Sequence, residues 1–384
     1  MRLAVYCDYR FWRAEGRIWT ERAFIVFLGG LAEQVDRLVM PGRTHPEEGR
    51  AEISHYPLPD GIEFVPLPWY ETLAKPFDVI GALLGSMRRF WRVLDDVDAV
   101  WLLGPHPTCL AFAALAALRR KKVILGVRQD LPAYARTKHP GRRGIQLAAD
   151  ALEGSYRLLS RRCPTVVVGP DLARKYCHAT RLLPISVSLI RAADLPATLP
   201  PQDWDGDELC ALSVGRLEAE KNPLLLADVI AELRRRDPRW RLDVCGEGPL
   251  DGALRERLAE RGVDADGARL LGYVPVSDGL PELYRSSQAM LHVSFTEGVP
   301  QIMFEAFAAG LPIVATAVGG VPEAVGDAAL QIPPDDAVAA ADALERMAAD
   351  PELRERLRAD GLARVRDHTM EAECARLAAF LRET

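Results

Sequence analysis

Glu297 and Glu305 bracket the stretch Gly298-Val299-Pro300-Gln301-Ile302-Met303-Phe304. Pro300 suits a first helical position, because its missing N–H would go unpaired there anyway. Gly310 suits the exit, and Pro312 blocks continuation. Glu297 then falls in the loop before a helix and Glu305 inside it. Both flank a helix N-terminus, whose free N–H groups and positive dipole end attract anions. A phosphate with hydroxyl-bearing groups on either side would suit that arrangement. A simple capped helix with one exposed glutamate fits the same residues.

Cations occur at a matching place. Gly215-Arg216-Leu217-Glu218-Ala219-Glu220-Lys221-Asn222 directly follows an apolar, strand-like run. Arg216 offers a planar fork of donors and Lys221 a mobile point charge, a pair suited to a diphosphate. They could equally be surface bases, one of them pairing with Glu218 or Glu220. Cys245-Gly246-Glu247-Gly248-Pro249 is another strand-to-helix turn, and a truncated glycine-rich loop. Position 251 is Asp where a dinucleotide fingerprint has its third glycine, and the strand is not the first of its domain, so NAD binding is disfavoured. A tight turn lining a nucleotide fits better. Gly272-Tyr273-Val274-Pro275 could offer backbone groups to a flat base, or be a plain loop. No Walker A phosphate loop occurs.

The elements that would position these groups alternate in type. Strand-length apolar runs lie at 2–8, 37–40, 62–66, 99–103, 123–127, 165–168 and 182–187. Helical segments separate most of them, among them 77–94 and one from a Thr20 cap to Glu33. Residues 9–19 read as a polar loop. The run 190–207 is rich in proline and acid and reads as an interdomain linker. A second series follows: strands at 209–214, 240–245, 269–271, 289–293 and 313–315. Asn222-Pro223 should cap and open a helix to Arg236, and 249–260 and the chain from about 335 should be helical. The final segment sets Met370, Cys374, Leu377, Ala378 and Leu381 on one face. The pattern implies α/β architecture: two Rossmann-like, doubly wound parallel sheets, with ligands beyond the carboxyl ends of the strands. The expected domains are 1–189, a linker at 190–207, a donor domain at 208–369, and a helix at 370–384 returning to the first domain.

Composition narrows the function classes. At 384 residues two domains are the natural prior. A net charge of −6 argues against a general nucleic-acid binder. Seven scattered cysteines without a Cys-x-x-Cys pair suggest free thiols, and neither a disulfide framework nor a zinc site. With no signal-peptide pattern at 1–10, the expected location is cytoplasmic. The apolar run 99–118 is interrupted by Gly104-Pro105-His106-Pro107 and reads as strand, turn and helix, not as a membrane span.

In order and register, Gly215-Arg216 with Lys221, Gly246-x-Gly248-Pro249, Gly272-x-Val274, Glu297 with Glu305, and Gly319-Gly320-Val321-Pro322-Glu323 resemble GT-B glycosyltransferases. The resemblance is specifically to the retaining nucleotide-sugar transferases of glycosyltransferase family 4, and spans about 209–326. It implies that Glu305 accepts from ribose hydroxyls and Glu297 from the donor sugar. Backbone N–H groups of Gly298, Val299 and Gln301, around Pro300, would meet the sugar and phosphate. Arg216 and Lys221 would bind the leaving diphosphate, where fixed positive charge acts most strongly. Gly215, Gly246, Gly248, Pro249 and Val274 would line the nucleotide. No metal or other cofactor is implied; a UDP-, GDP- or ADP-sugar would be the substrate.

The first domain matches that family only in architecture. Many relatives place a histidine after the fifth strand, where this chain has Gly126-Val127-Arg128-Gln129-Asp130. Arg128 and Asp130 are candidates for the acceptor side; a structural pairing of Arg128 with Asp130 or another acid fits the same residues. His106 and the loop around Arg13 and Gly16 are further candidates. The basic stretches 87–92 and 136–143 could touch anionic lipid at the inner face of a membrane, or be a helix end and a solvated loop. The expected activity is transfer of a sugar, with retention and without metal, to a glycan, lipid-linked or small-molecule acceptor. A same-fold nucleotide-sugar epimerase and a non-catalytic sugar-nucleotide-binding partner protein are the alternatives. The sequence leaves the oligomeric state open.

Overall fold

The computed structural model describes residues 1–49, 56–71, 76–139, 141–276 and 279–383. The chain divides into two compact units: Met1–Val187 joined by the C-terminal helix from Met370, and Ser188–Thr369.

In the first unit the order is β1 (Arg2–Cys7), β2 (Arg10–Ala14), β3 (Arg17–Thr20), α1 (Phe24–Ala32), β4 (Arg37–Glu48), β5 (Tyr56–Pro57), β6 (Ile62–Leu67), α2 (Pro76–Val93), β7 (Ala99–Gly104), α3 (Pro107–Leu118), β8 (Lys122–Val127), α4 (Leu131–Lys138), α5 (Arg143–Ser160), β9 (Thr165–Val168), α6 (Pro170–Lys175) and β10 (Leu182–Ile185). One sheet runs β10-β9-β8-β7-β1-β4-β2-β3-β5, with β6 also on β4. From β10 to β4 it is parallel. Phe90, Phe112 and Tyr156, from α2, α3 and α5, pack on one face against Tyr6, Val100, Leu102 and Leu125.

Residues 9–19 are not the polar loop expected from their arginines. They form a β2–β3 hairpin with Trp12 opposite Trp19. Its turn, Glu15-Gly16, has φ of 54° and 73°, a pair of positive values that suits the twist of a two-residue hairpin. Thr20 consequently ends β3, and α1 starts at Phe24 without a side-chain cap.

The second unit runs β11 (Leu209–Val214), α7 (Pro223–Arg236), β12 (Trp240–Cys245), α8 (Asp251–Glu260), β13 (Ala268–Gly272), α9 (Leu280–Ser286), β14 (Ala289–His292), α10 (Gln301–Ala308), β15 (Ile313–Thr316), α11 (Val321–Val325), β16 (Ala329–Ile332), α12 (Ala337–Ala349) and α13 (Pro351–Asp367). Its sheet, β13-β12-β11-β14-β15-β16, is parallel throughout. Successive side chains of a strand point to opposite faces, and here both faces are buried. Ala211, Leu291 and Val314 join one core, while Leu212, Met290 and Ile313 join the other. This is why the strands read as continuous apolar runs. The edge strand β16 is too short and mixed to stand out in the sequence. A break at Asp350-Pro351 divides the C-terminal helical region, Asp350 capping α13 through Leu353 N at 3.0 Å.

The run 190–207 lies within the second unit. Leu195 and Leu199 pack on its core, and Trp204 is buried with its ring centroid 6.4 Å from that of Trp240. The Gln202 amide donates to Ser287 O at 3.0 Å. Prolines and acids mark an extended segment here, and its apolar side chains fasten it down. The last helix, α14 (Met370–Glu383), belongs to the first unit and packs on α1 and β10. Gly30 permits the close approach: a Cβ there would lie 3.2 Å from Cys374 Sγ.

Candidate functional site

In the second unit the sheet order reverses between β11 and β14. From β11 the chain builds outward through β12 and β13, then crosses back to β14. Neighbouring loops diverge at such a point and leave a crevice beyond the carboxyl ends of the strands. Lys221 follows β11 and Glu297 follows β14, and Lys221 Nζ stands 2.6 Å from Glu297 Oε1. Ser294 Oγ donates to the same oxygen at 2.7 Å, and His292 Nε2 lies 3.0 Å from it, though poorly aligned for a hydrogen bond. Glu297 Oε2 receives no donor among the described residues.

The Glu297 side chain is 8% exposed. Burial alone would raise its pKa, but His292 and the charge of Lys221 outweigh that and hold it at about 2. It is therefore a carboxylate at neutral pH, able to accept hydrogen bonds and unsuited to acid catalysis. Asn222 does not cap α7 as expected. It has φ of 50°, and its amide donates to Asp335 Oδ1 at 3.3 Å. Its left-handed turn separates Lys221 from the helix.

Pro300 is the N-cap residue of α10, with Gln301 first in the helix, and Gly310 follows it at φ of 71°. Glu305 lies in the middle of α10. Tyr284, from α9, donates to Glu305 Oε2 at 2.9 Å. Burial raises the Glu305 pKa against this hydrogen bond, which lowers it. No donor reaches Oε1 among the described residues. Each glutamate thus has one oxygen engaged by the protein and one able to accept from something else.

The glycines fall into two groups. Gly246, Gly248 and Gly319 are required by close backbone approach: a Cβ would lie 1.8 Å from Gly215 O, 2.5 Å from Leu217 O and 2.0 Å from Glu297 O, respectively. Gly246 N also donates to Gly272 O at 2.7 Å and Gly215 N to Cys245 O at 2.9 Å, so these loops are laced together. Gly215 and Gly298 differ. A Cβ on either meets nothing within 4 Å, and neither has a positive φ that would demand glycine. Pro249 lies in the turn before α8, and Val274 and Val299 are half-buried in the loops after β13 and β14. Arg216 is 55% exposed and folded onto Glu218 at 2.5 Å and Glu220 at 3.1 Å. Of the two cations, the structure brings only Lys221 to Glu297.

Residues 197–364 match the family model described as glycosyl transferases group 1. The second unit is a glycosyl transferases group 1 domain. Among curated relatives, O-antigen chain mannosyltransferase B of Escherichia coli is 34% identical over 170 residues, covering 44% of this chain and 43% of the relative. D-inositol 3-phosphate glycosyltransferase of Frankia alni is 37% identical over 171 residues, covering 42% of each. The chain thus spans less than half the length of these curated relatives. Among solved structures, sucrose-phosphate synthase from Thermosynechococcus elongatus has a TM-score of 0.73 at 17% identity, covering 100% of this chain and 98% of its own. Anabaena HepE in complex with UDP and glucose has a TM-score of 0.72 at 15% identity, covering 100% of both chains. At that identity the likeness is one of fold, and the fold is GT-B.

Outside the glycosyl transferases group 1 domain, the first unit's candidates sit at the carboxyl edge of its own sheet or on its hairpin. His106 caps α3, its Nδ1 accepting from Thr108 N at 3.3 Å, and its Nε2 lies 3.4 Å from Asp8 Oδ2. Burial lowers its pKa despite the Asp8 charge, so the ring is neutral at pH 7 with both nitrogens in use. Asp130 caps α4 through Ala133 N at 3.1 Å and pairs with Lys175 at 2.9 Å. It does not pair with Arg128, whose guanidinium lies 3.9 Å from the Phe24 ring centroid. Gly16 is the hairpin turn, and its φ of 73° accounts for the glycine.

Sequence reasoning missed Tyr284, His292 and a cluster around Asp8. Asp8 accepts from Arg43 at 3.0 Å and from the Tyr70 hydroxyl at 2.7 Å. Tyr284 carries no motif of its own. A polar His292 at the end of an otherwise apolar strand was a usable signal. Among the described residues no group of three or more His, Cys, Asp or Glu is placed to hold a metal ion.

Proposed function

We propose that the protein is a retaining glycosyltransferase that moves a sugar from a nucleoside diphosphate sugar to an acceptor: a glycan, a lipid-linked sugar or a small molecule. The observation carrying this reading is the Lys221–Glu297 pair at 2.6 Å, set where the sheet order reverses, beside two glycines that no described residue requires. Glu297 accepts from donor-sugar hydroxyls through Oε2, and Glu305 from the ribose through Oε1. Gly215 and Gly298 leave room for the diphosphate to approach the backbone. Lys221 has two N–H donors beyond the one it gives Glu297, and these meet the diphosphate. Arg216, itself 55% exposed, joins by leaving Glu218 and Glu220, at about 1 kcal/mol for each pair.

In the reaction the bond between the anomeric carbon and the diphosphate oxygen breaks. The acceptor oxygen bonds to the same face of that carbon, and its proton passes to the leaving phosphate. Charge builds on the diphosphate, where Lys221 and Arg216 act. This scheme calls for no metal. Structural neighbours described with UDP make UDP-sugars the first donors to test. The test is incubation with UDP-, GDP- and ADP-sugars, with and without candidate acceptors. Transfer to an acceptor supports the reading. Interconversion of the nucleotide sugar alone would make the protein an epimerase, and binding without turnover a partner subunit.

Contact with an anionic membrane surface is a second part of the proposal. Among the described residues no helix is long and apolar enough to cross a membrane. Yet α2 and α3, packed side by side, expose Ile80 at 55%, Leu84 at 63% and Leu118 at 73%. Arg88, Arg89 and Arg92 follow on α2, as an interfacial helix would have them.

A further inference from the structure

Arg128 follows β8 at the carboxyl edge of the first unit's sheet, and no described residue answers its charge. Its guanidinium lies 3.9 Å from the Phe24 ring centroid and 5.6 Å from that of Tyr9. The carboxylates at this edge are engaged elsewhere: Asp8 by Arg43 and Tyr70, Asp130 by Lys175. Among the described residues no carboxylate or carbonyl accepts from Arg128. The neighbouring Cys7 thiol adds no charge, because burial pushes its pKa well up. Burial pulls Arg128 down to about 10, so it stays charged at neutral pH, and the residue keeps part of its surface in solvent.

A half-buried cation with no counter-charge can take an anion on its open side. Tyr9, whose ring centroid lies 5.6 Å from the guanidinium, has a buried hydroxyl with no partner among the described residues. An arginine fork and a phenol O–H, both lacking acceptors among the described residues, are complementary to a small planar or tetrahedral anion.

We propose that Arg128 and the Tyr9 hydroxyl form an anion-binding site for a phosphate or carboxylate group carried by the acceptor. The Phe24 ring stacks against the guanidinium and holds it in place. The assignment of the anion to the acceptor rests on the glycosyltransferase reading; the anion site itself does not.

The test is calorimetric titration of the full chain with glucose 6-phosphate, glucuronate and, as the neutral control, glucose. At least one of the anionic sugars should bind and glucose should not. Response to glucose 6-phosphate alone assigns a phosphate, and response to glucuronate a carboxylate. Arg128→Gln should weaken binding by roughly tenfold or more, as expected for loss of a hydrogen-bonded charge. Tyr9→Phe, which keeps the ring beneath Arg128 and so tests the site with little risk to folding, should weaken it by roughly threefold. Nucleoside diphosphate binding by the second unit should be unchanged in both. The site is refuted if neither anionic sugar binds at millimolar concentration, or if both variants bind them like the parent. Should nucleotide binding fail while Arg128-dependent anion binding persists, the site stands and the donor reading falls.

Discussion

Replacing Lys221 by Ala removes the lysine partner of a buried carboxylate. Breaking a fully buried ion pair costs about 3–5 kcal/mol. Here the Lys221 side chain is 23% exposed and Glu297 keeps its Ser294 hydrogen bond, so about 2 kcal/mol is expected. For a unit of this size that lowers its melting temperature by roughly 4–8 °C. The motif alone suggests that Lys221→Ala slows transfer and spares folding; the pairing implies that both suffer. In a Glu297→Gln background the same replacement should cost only about 0.5 kcal/mol, because no buried charge is orphaned. The pH dependence carries the same signature. Glu297 sits at about 2 in the folded protein against 4.5 ordinarily. A depressed carboxyl contributes stability that is fully present above the ordinary value and lost as pH falls toward the folded one. The ceiling on that contribution is about 3 kcal/mol. Lys221→Ala raises the carboxyl, so its stability should fall less steeply than the parent's between neutral and acid pH. Urea unfolding of the four proteins of this cycle, at pH 7 and in acid, measures both effects. Equal costs of Lys221→Ala in the two backgrounds, with parallel acid slopes, would refute the reasoning.

The two groups of glycines make a sharper test than either alone. Gly246→Ala and Gly319→Ala drive a Cβ into backbone and should destabilise by about 3 kcal/mol or more, read as lowered melting temperatures. Gly215→Ala and Gly298→Ala meet open space; they should melt like the parent yet bind nucleoside diphosphate more weakly in calorimetry. Glu305→Ala should weaken nucleoside diphosphate binding roughly tenfold. Because the Glu305 pKa is raised, nucleotide affinity in the parent should decline on acidification above the usual glutamate range. Glu305→Gln should abolish that decline. Sedimentation with phosphatidylglycerol vesicles should carry the parent down, and carry Leu84→Asp down less. Neutral vesicles should bind neither.

The parallel sheets were legible because their strands are buried on both faces and read as short apolar runs between helices. The placement of the two glutamates was legible because Pro300, Gly310 and Pro312 mark the bounds of a helix. Glu297 sits in the loop and Glu305 inside the next helix, and each falls where the order of elements required. What sequence could not supply was pairing. Arg216 and Lys221 look alike in their motif, but one folds onto Glu218 and Glu220 while the other meets Glu297. Residues 9–19 hid a hairpin because Arg10, Arg13 and Arg17 mask the Trp12–Trp19 register, and an edge hairpin tolerates such charges. Trp204 anchors a segment whose prolines resemble a linker. Tyr284 and the Asp8 cluster are assembled from residues far apart in sequence and lack any spacing signal.

The most direct test of the central claim is titration of the parent and Glu305→Ala with UDP, GDP and ADP. The claim that the second unit grips a nucleoside diphosphate predicts one-to-one binding of at least one of the three, weakened in the variant. Absence of binding by all three at millimolar concentration, or equal affinity in parent and variant, would contradict it.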